Sequence, residues 1–438
     1  MKLRNLLLAA AGLAVGVSAF VDSKAAYAAK EVFLPVFVYR TGAYAPSGVP
    51  IANGFRDYYQ LLNKRDGGIE GIKIVTEECE TKYNTKVGVE CFEKLKDKHG
   101  GAAMVSPYST GLTYQLIPKA SVDKVPILSM GYGRTAAADG RVFPWVFNFP
   151  TTYWSQASAF INYVAQEEGG LGKLKGLHIA HVHHNSAYGK EANPTLVALS
   201  KKYGFKLTLL AVDHPGQEQK ATWLQVRRKR PDWVFMSGWG VMNQVAIKEA
   251  NSIGFPMDHF VGNWWSGSDA DVIPAGDGAI GYKSTAMHAA GTGFPLFADI
   301  VKYVYGGDAA KAKENNVGEV LYNRAILNAV FATEAIRDAA KKKGGVPSGS
   351  DIRDALESLK VDGDRLAKLG LAGFTKPVSI SCKDHEGSGP VIIQQWTGTK
   401  WEFASKWIPV MRDVVRPMIE SAAAAYAKEN KITPRSCK

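Results

Sequence analysis

The stretch Val32–Asn63 reads VFLPVFVYRTGAYAPSGVPIANGFRDYYQLLN: an apolar strand, a polar loop punctuated by glycine, and an amphipathic helix. A strand that turns through such a loop into a helix is the building unit of doubly wound α/β sheets, and open sheets of this kind bind ligands at the carboxyl ends of their strands. The loop places Tyr39, Arg40 and Tyr44 there, two aromatic rings and a cation. The unit starts just after a segment with the three parts of an export leader: Lys2 and Arg4, an apolar run from Leu6 to Val17, and small residues around Ala26–Ala28. The run is too short for a membrane span, which needs roughly 20 residues, so residues 1–28 are expected to be a cleaved signal peptide. No cysteine lies near the cut to carry a lipid.

Export fixes how the rest of the composition is read. The chain has 438 residues and a formal net charge of +12, of which the leader supplies two. Such a balance favours anionic small molecules or membrane surfaces. A nucleic-acid partner is not expected, because the basic runs Arg227–Arg230 and Lys341–Lys343 are short and lie at helix ends. The four cysteines are Cys79, Cys91, Cys382 and Cys437, an even number in an exported chain, which points to disulfides. Cys79 follows a strand and Cys91 lies on the next helix, so these two are expected to pair, leaving Cys382 with Cys437. A metal site is the rival reading, but no CxxC pair is present.

Working outward from the opening unit, strand-like runs at 72–76, 102–106, 125–130, 177–183, 207–212, 233–237 and 259–262 alternate with helical patterns such as 51–63, 85–98, 153–168, 194–203 and 242–253. Repeated βαβ means parallel sheet covered on both faces, in one large sheet or two small ones. The rhythm breaks at 135–152, near 285–295 and at 370–379. Three breaks divide the chain into two lobes, each assembled from separate segments: 29–150 with 288–372, and 151–287 with 373–410. Antiparallel strands are expected within Val378–Ile408, and an Ala-rich helix in the tail 411–438.

Catalytic signatures are absent: there is no GK[ST] phosphate loop, HExxH, CxxC or GxSxG elbow. His181 and His183 share a strand face and would begin a metal site, with His178, His184 and His214 nearby. Without a companion set of acidic or cysteine ligands they read as hydrogen-bonded histidines at a strand end. An exported metal enzyme and a detached sensory module are the competing classes; binding without chemistry leads, with no cofactor and no metal.

The opening unit, followed by NKRDGGIEGIKIV and then by VGVECFEKL, HNSAYGKEANP, DWVFMSGWGVMNQVAIKEANSIGFP and GPVIIQQWTGTKW, resembles the periplasmic solute-binding proteins of branched-chain amino acid type ABC transporters, in the family's order over nearly the whole mature chain. The resemblance implies two α/β lobes joined by three hinge crossovers (a type I periplasmic binding protein) and a monomer that delivers its ligand to an inner-membrane permease. It also implies that the ligand carboxylate is held by the loops Ser106–Thr110 and Ser129–Arg134, which here offer Tyr108, Ser109, Thr110, Met130, Gly131, Tyr132 and Arg134. Aromatic contacts would come from the loops that hold Tyr188 and Trp239.

The departure falls in GNWWSGSD. Amino acid binders of the family carry a carboxylate near this point for the ligand's ammonium, whereas Trp264 or Trp265 stands here, with Asp269 or Asp271 a few residues away. A buried unpaired ammonium costs about 3 to 5 kcal/mol, against about −8 kcal/mol for micromolar binding. Arg40 and Arg134 with the surrounding rings therefore point to an aromatic carboxylate, a cargo that some members of the family carry; an amino acid is the nearest rival.

Overall fold

The computed structural model describes residues 30–387 and 389–437, so the expected signal peptide lies outside the described residues. Its first sheet is parallel. Strand β1 (Glu31–Phe33) and strand β2 (Val36–Val38) pair in one continuous register with β3 (Lys73–Val75) and β4 (Glu78–Glu80), so each couple is a single interrupted strand. Pro35, which has no N–H to give the ladder, marks the interruption in the first. The sheet continues through bridges from Phe33 to Ala102 and from Val105 to Ile127, then to β5 (Ile127–Leu128) and β6 (Val146–Phe147).

The second sheet has seven strands: β7 (His178–His184), β8 (Lys206–Val212), β9 (Trp233–Ser237), β10 (Phe260–Gly262), β11 (Lys283–Ala286), and, after a small hairpin of β12 (Lys360–Val361) and β13 (Val378–Ser379) elsewhere, β14 (Ile392–Trp396) and β15 (Trp401–Phe403). Its order is β15-β14-β11-β10-β9-β7-β8, parallel from β8 to β11 and antiparallel through β14 and β15. Short β4, β6, β11 and β12 escape sequence reading because two to four residues carry no periodicity, whereas β13 falls where antiparallel strands are expected.

Helices cover both sheets. The helix Val320–Lys343 lies along Ala45–Arg65 in the first lobe, and Gly54 permits the contact: a side chain there would run into the Tyr322 carbonyl and Ala325. Segments 147–152, 287–290 and 374–387 run between the two sheets, and they are tied to one another. The amides of Asn148 and Phe149 both donate to the His385 carbonyl at 3.0 Å, and Ala289 donates to the Phe374 carbonyl at 2.8 Å. The tail helix, Arg412–Glu429, leaves the second sheet and docks on the first lobe, where Ala423 and Ala427 join the core of Phe33 and Phe92.

Both disulfides form as expected. Cys79–Cys91 ties β4 to the helix Thr85–Leu95, and Cys382–Cys437 holds the chain end against the third pass, with sequence separations of 12 and 55. In the chain-entropy model those loops are worth about 3 and about 4 kcal/mol. Urea unfolding of C79S/C91S and C382S/C437S should therefore show the larger loss for the second pair; a smaller loss would mean that the tail detaches without the rest.

Candidate functional site

Loops from the carboxyl ends of both sheets meet over a small cavity lined by Tyr83, Tyr108, Ser109, Thr110, Tyr132, Tyr153, Tyr188, Trp239 and Trp265. The room left among these side chains for a water-sized sphere is about 10 Å³, so the loops stand closed on one another. A larger concavity beside Arg227, Arg228 and Ile253 is open to solvent and lies at the amino ends of β9 and β10, the wrong end of a parallel sheet for capture.

Each wall is set by local structure. Tyr108 sits at φ +48°, an uncommon conformation for a side chain of its size, with its amide donating 2.7 Å to the Tyr132 hydroxyl. Ser109 then caps the helix Thr110–Asp123 by accepting from the Leu112 amide, leaving the amides of Thr110 and Gly111 among those a helix cannot satisfy itself. Across the cleft, the Tyr188 hydroxyl is held by the Gly238 carbonyl at 2.8 Å and Asn263 Oδ1 at 2.9 Å. Trp265 is fixed through its backbone, its amide donating to Asn263 Oδ1 at 3.0 Å and its carbonyl accepting from Asn243 at 3.1 Å. Its ring stands edge-on to Trp239, Tyr108 and Tyr132 at 5.3, 5.7 and 5.8 Å.

Seven of the residues expected from sequence thus line the cavity: Tyr108, Ser109, Thr110, Tyr132, Tyr188, Trp239 and Trp265. Others sit behind it. Tyr39 packs against Tyr83 and Trp239; Met130 is fully buried; Gly131 leaves room for the Trp264 ring, which a Cβ would strike. Tyr44 stands at the mouth, its hydroxyl bonded to His184 Nε2 at 3.0 Å and to His214. Burial and then the neighbouring His214 lower His184 to about 4, so that ring is neutral at pH 7.

Neither expected arginine lines the cavity. Arg40 is taken by Glu78, with bonds of 2.8 and 2.6 Å, and by Asn53 at 2.9 Å, because β4 runs alongside β2 and brings its acidic residues opposite. Arg134 turns outward to stack over Tyr426 of the tail helix at 4.5 Å and Tyr114 at 5.5 Å. The nearby aspartates are also occupied: Asp271 accepts from Ser268 and Asn243, and Asp269 from the Val320 amide at 3.3 Å. Burial lifts Asp271 to about 6. The histidines have protein partners: His181 bonds to Asn193 at 2.8 Å and Ser237 at 2.9 Å, His178 to Thr208 at 2.9 Å.

Sequence reading missed Tyr83, Tyr153 and, above all, Arg324. This arginine lies on the helix Val320–Lys343, fully buried, with its Cζ 4.1 Å from the Trp264 ring and 4.8 Å from the Trp265 ring. Its signal was present: a lone cation between Leu321 and Phe331 in a helical stretch that is otherwise uncharged. Burial lowers it to about 10, still charged at pH 7.

Two α/β lobes, joined by repeated passes and closing aromatic loops over a small cavity, define a solute-binding protein rather than an enzyme. The chain belongs to the periplasmic binding protein family, whose model matches residues 31–400. No curated protein matches it. Among solved structures it is similar to an ABC transporter permease from the Pseudomonas fluorescens group, with 42% identity, TM-score 0.86 and coverage of 93% of this chain and 100% of that one. It is also similar in fold to a valine-bound branched-chain amino acid ABC transporter protein from Thermus thermophilus (20%, TM-score 0.74, 89% and 98%) and a benzoate-bound solute-binding protein from R. palustris (15%, 0.67, 87% and 97%). The chain is therefore a substrate-binding protein of the ABC transporter class, which takes a small molecule and delivers it to a permease in the membrane.

One buried acid at the flank has a consequence for stability. Glu191 accepts from the Thr135 amide at 3.2 Å, the Thr135 hydroxyl at 2.6 Å and the Tyr114 hydroxyl, yet burial raises it from 4.5 to about 8. The folded chain then holds a proton that the unfolded chain releases, so this group's contribution is full below about 4.5 and is lost as pH rises through about 8. Melting temperatures taken from pH 5 to pH 9 should fall less steeply in E191Q than in the parent; parallel curves would show Glu191 ionised throughout.

Proposed function

We propose that the cleft captures a small aromatic carboxylate, closing a lobe of residues 29–150 and 288–372 onto one of 151–287 and 373–410. The observation that carries this reading is the lining itself: seven aromatic residues, the hydroxyls of Ser109 and Thr110 at a helix N-terminus, and no carboxylate. Rings supply apolar area for a flat ligand, and the helix end supplies amides and a positive dipole end for its anion. An amino acid would bring an ammonium with no anion in the lining to receive it, and the Arg324 guanidinium behind Trp265 adds a like charge. Solved proteins of this fold hold valine in one case and benzoate in another, so the fold admits both, and it is the lining that supports the aromatic acid here.

Thermal shift against benzoate, cinnamate, leucine, isoleucine and valine tests the assignment. Saturation at a hundred times Kd stabilises by about 2.7 kcal/mol, so an aromatic acid should raise Tm by several degrees while the aliphatic amino acids leave it unmoved; the opposite pattern refutes it. W265A should weaken the aromatic acid at least tenfold by isothermal calorimetry, since that ring is the cavity wall shared with Tyr108 and Tyr132.

A further inference from the structure

Arg324 carries five N–H donors, and Nε, Nη1 and Nη2 are all buried without a hydrogen-bond partner. No carboxylate among the described residues forms an ion pair with it. Neither acid that acts on its charge reaches it: Asp271 accepts from Ser268 and Asn243, and Glu319 accepts from the amides of Leu321 and Tyr322 through Oε2 while its Oε1 is buried without a partner. The indole faces of Trp264 and Trp265 attract the cation but accept no hydrogen bond in its plane. Leaving a guanidinium so buried costs several kcal/mol unless a planar anion meets it.

Its surroundings point the same way. The indole N–H groups of Trp264 and Trp265 are likewise buried and unpartnered. Asn328, one helical turn beyond Arg324, accepts from Ser106 at 2.9 Å through Oδ1 and leaves its NH2 group free. Trp264 and Trp265 flank the guanidinium and Asn328 follows it on the same helix, with His288 Nε2 the unpartnered acceptor beside Trp264; a carboxylate is acceptor only, with about four lone-pair sites. Trp265 stands between them and the cavity, one wall of which is the helix end at Thr110.

Resting on the reading above, in which one carboxylate meets the helix end at Thr110, we propose that Arg324 is a second anion-recognition residue and that the ligand is an aromatic dicarboxylate, its far carboxylate held by the guanidinium on the other side of Trp265.

Calorimetry with terephthalate, isophthalate, monomethyl terephthalate and benzoate tests this on the unaltered protein first. A dicarboxylate should bind at least tenfold tighter than its monomethyl ester, which has the same ring and one charge fewer. In R324Q and R324M the diacid should bind no tighter than its monomethyl ester. Equal binding of diacid and ester overturns the proposal, as does a parallel loss of benzoate and diacid in the variants, which would make Arg324 the seat of the only carboxylate. If benzoate binds and no diacid does, the second site is wrong and the aromatic-acid reading stands; if no acid binds, both fall. The ester comparison needs no variant, so it decides even if both substitutions fail to fold.

Discussion

The seam where the chain passes between lobes is the constraint on which the rest depends. Buried backbone must find hydrogen-bond partners, and here the passes use one another. The His385 carbonyl takes the amides of Asn148 and Phe149, Glu386 takes the amide and hydroxyl of Thr152 at 3.0 and 2.7 Å, and Phe374 takes Ala289. His385 also stacks on Phe147, 4.1 Å between centroids, and bonds to the Val146 carbonyl at 2.7 Å. With these segments fixed side by side, the carboxyl ends of the two parallel sheets face each other, and every loop that forms the cavity inherits its position from that arrangement.

Charge acts on two scales in this molecule. The net positive charge is spread over helix ends, as at Arg227–Lys229 and Lys341–Lys343, and draws anions from a distance. The cavity wall, by contrast, is neutral, with a helix terminus on one side and one guanidinium set behind an indole.

The sequence made the alternation of strands and helices readable, along with the cysteine partners, because each rests on local pattern or on chain topology. It also made readable the loops at 106–110, 185–188 and 239, which follow strands directly. What it could not show was which cation faces inward. Arg40 follows a strand and looks like a cleft residue, but its fate is decided by Glu78, 38 residues away on the neighbouring strand. Arg134 is drawn off by Tyr426 in the tail. Arg324 lies behind the cleft, on a helix that the βαβ rhythm assigns to sheet cover, and only its place against Trp264 and Trp265 reveals it. Tyr83 and Tyr153 are ordinary tyrosines until the lobes meet.

The tail helix leaves the second sheet and seats Ala423 and Ala427 in the first lobe, while Lys202 and Asp413 keep its start on the second at 2.9 Å. It is thus a fourth connection in parallel with the other three, and parallel springs add their stiffness. A hinge so stiffened samples fewer wide-open geometries, which lowers the entropy surrendered when the lobes come together. The same docking carries a kinetic cost, since any opening of the lobes has to strain the tail helix along with the three passes.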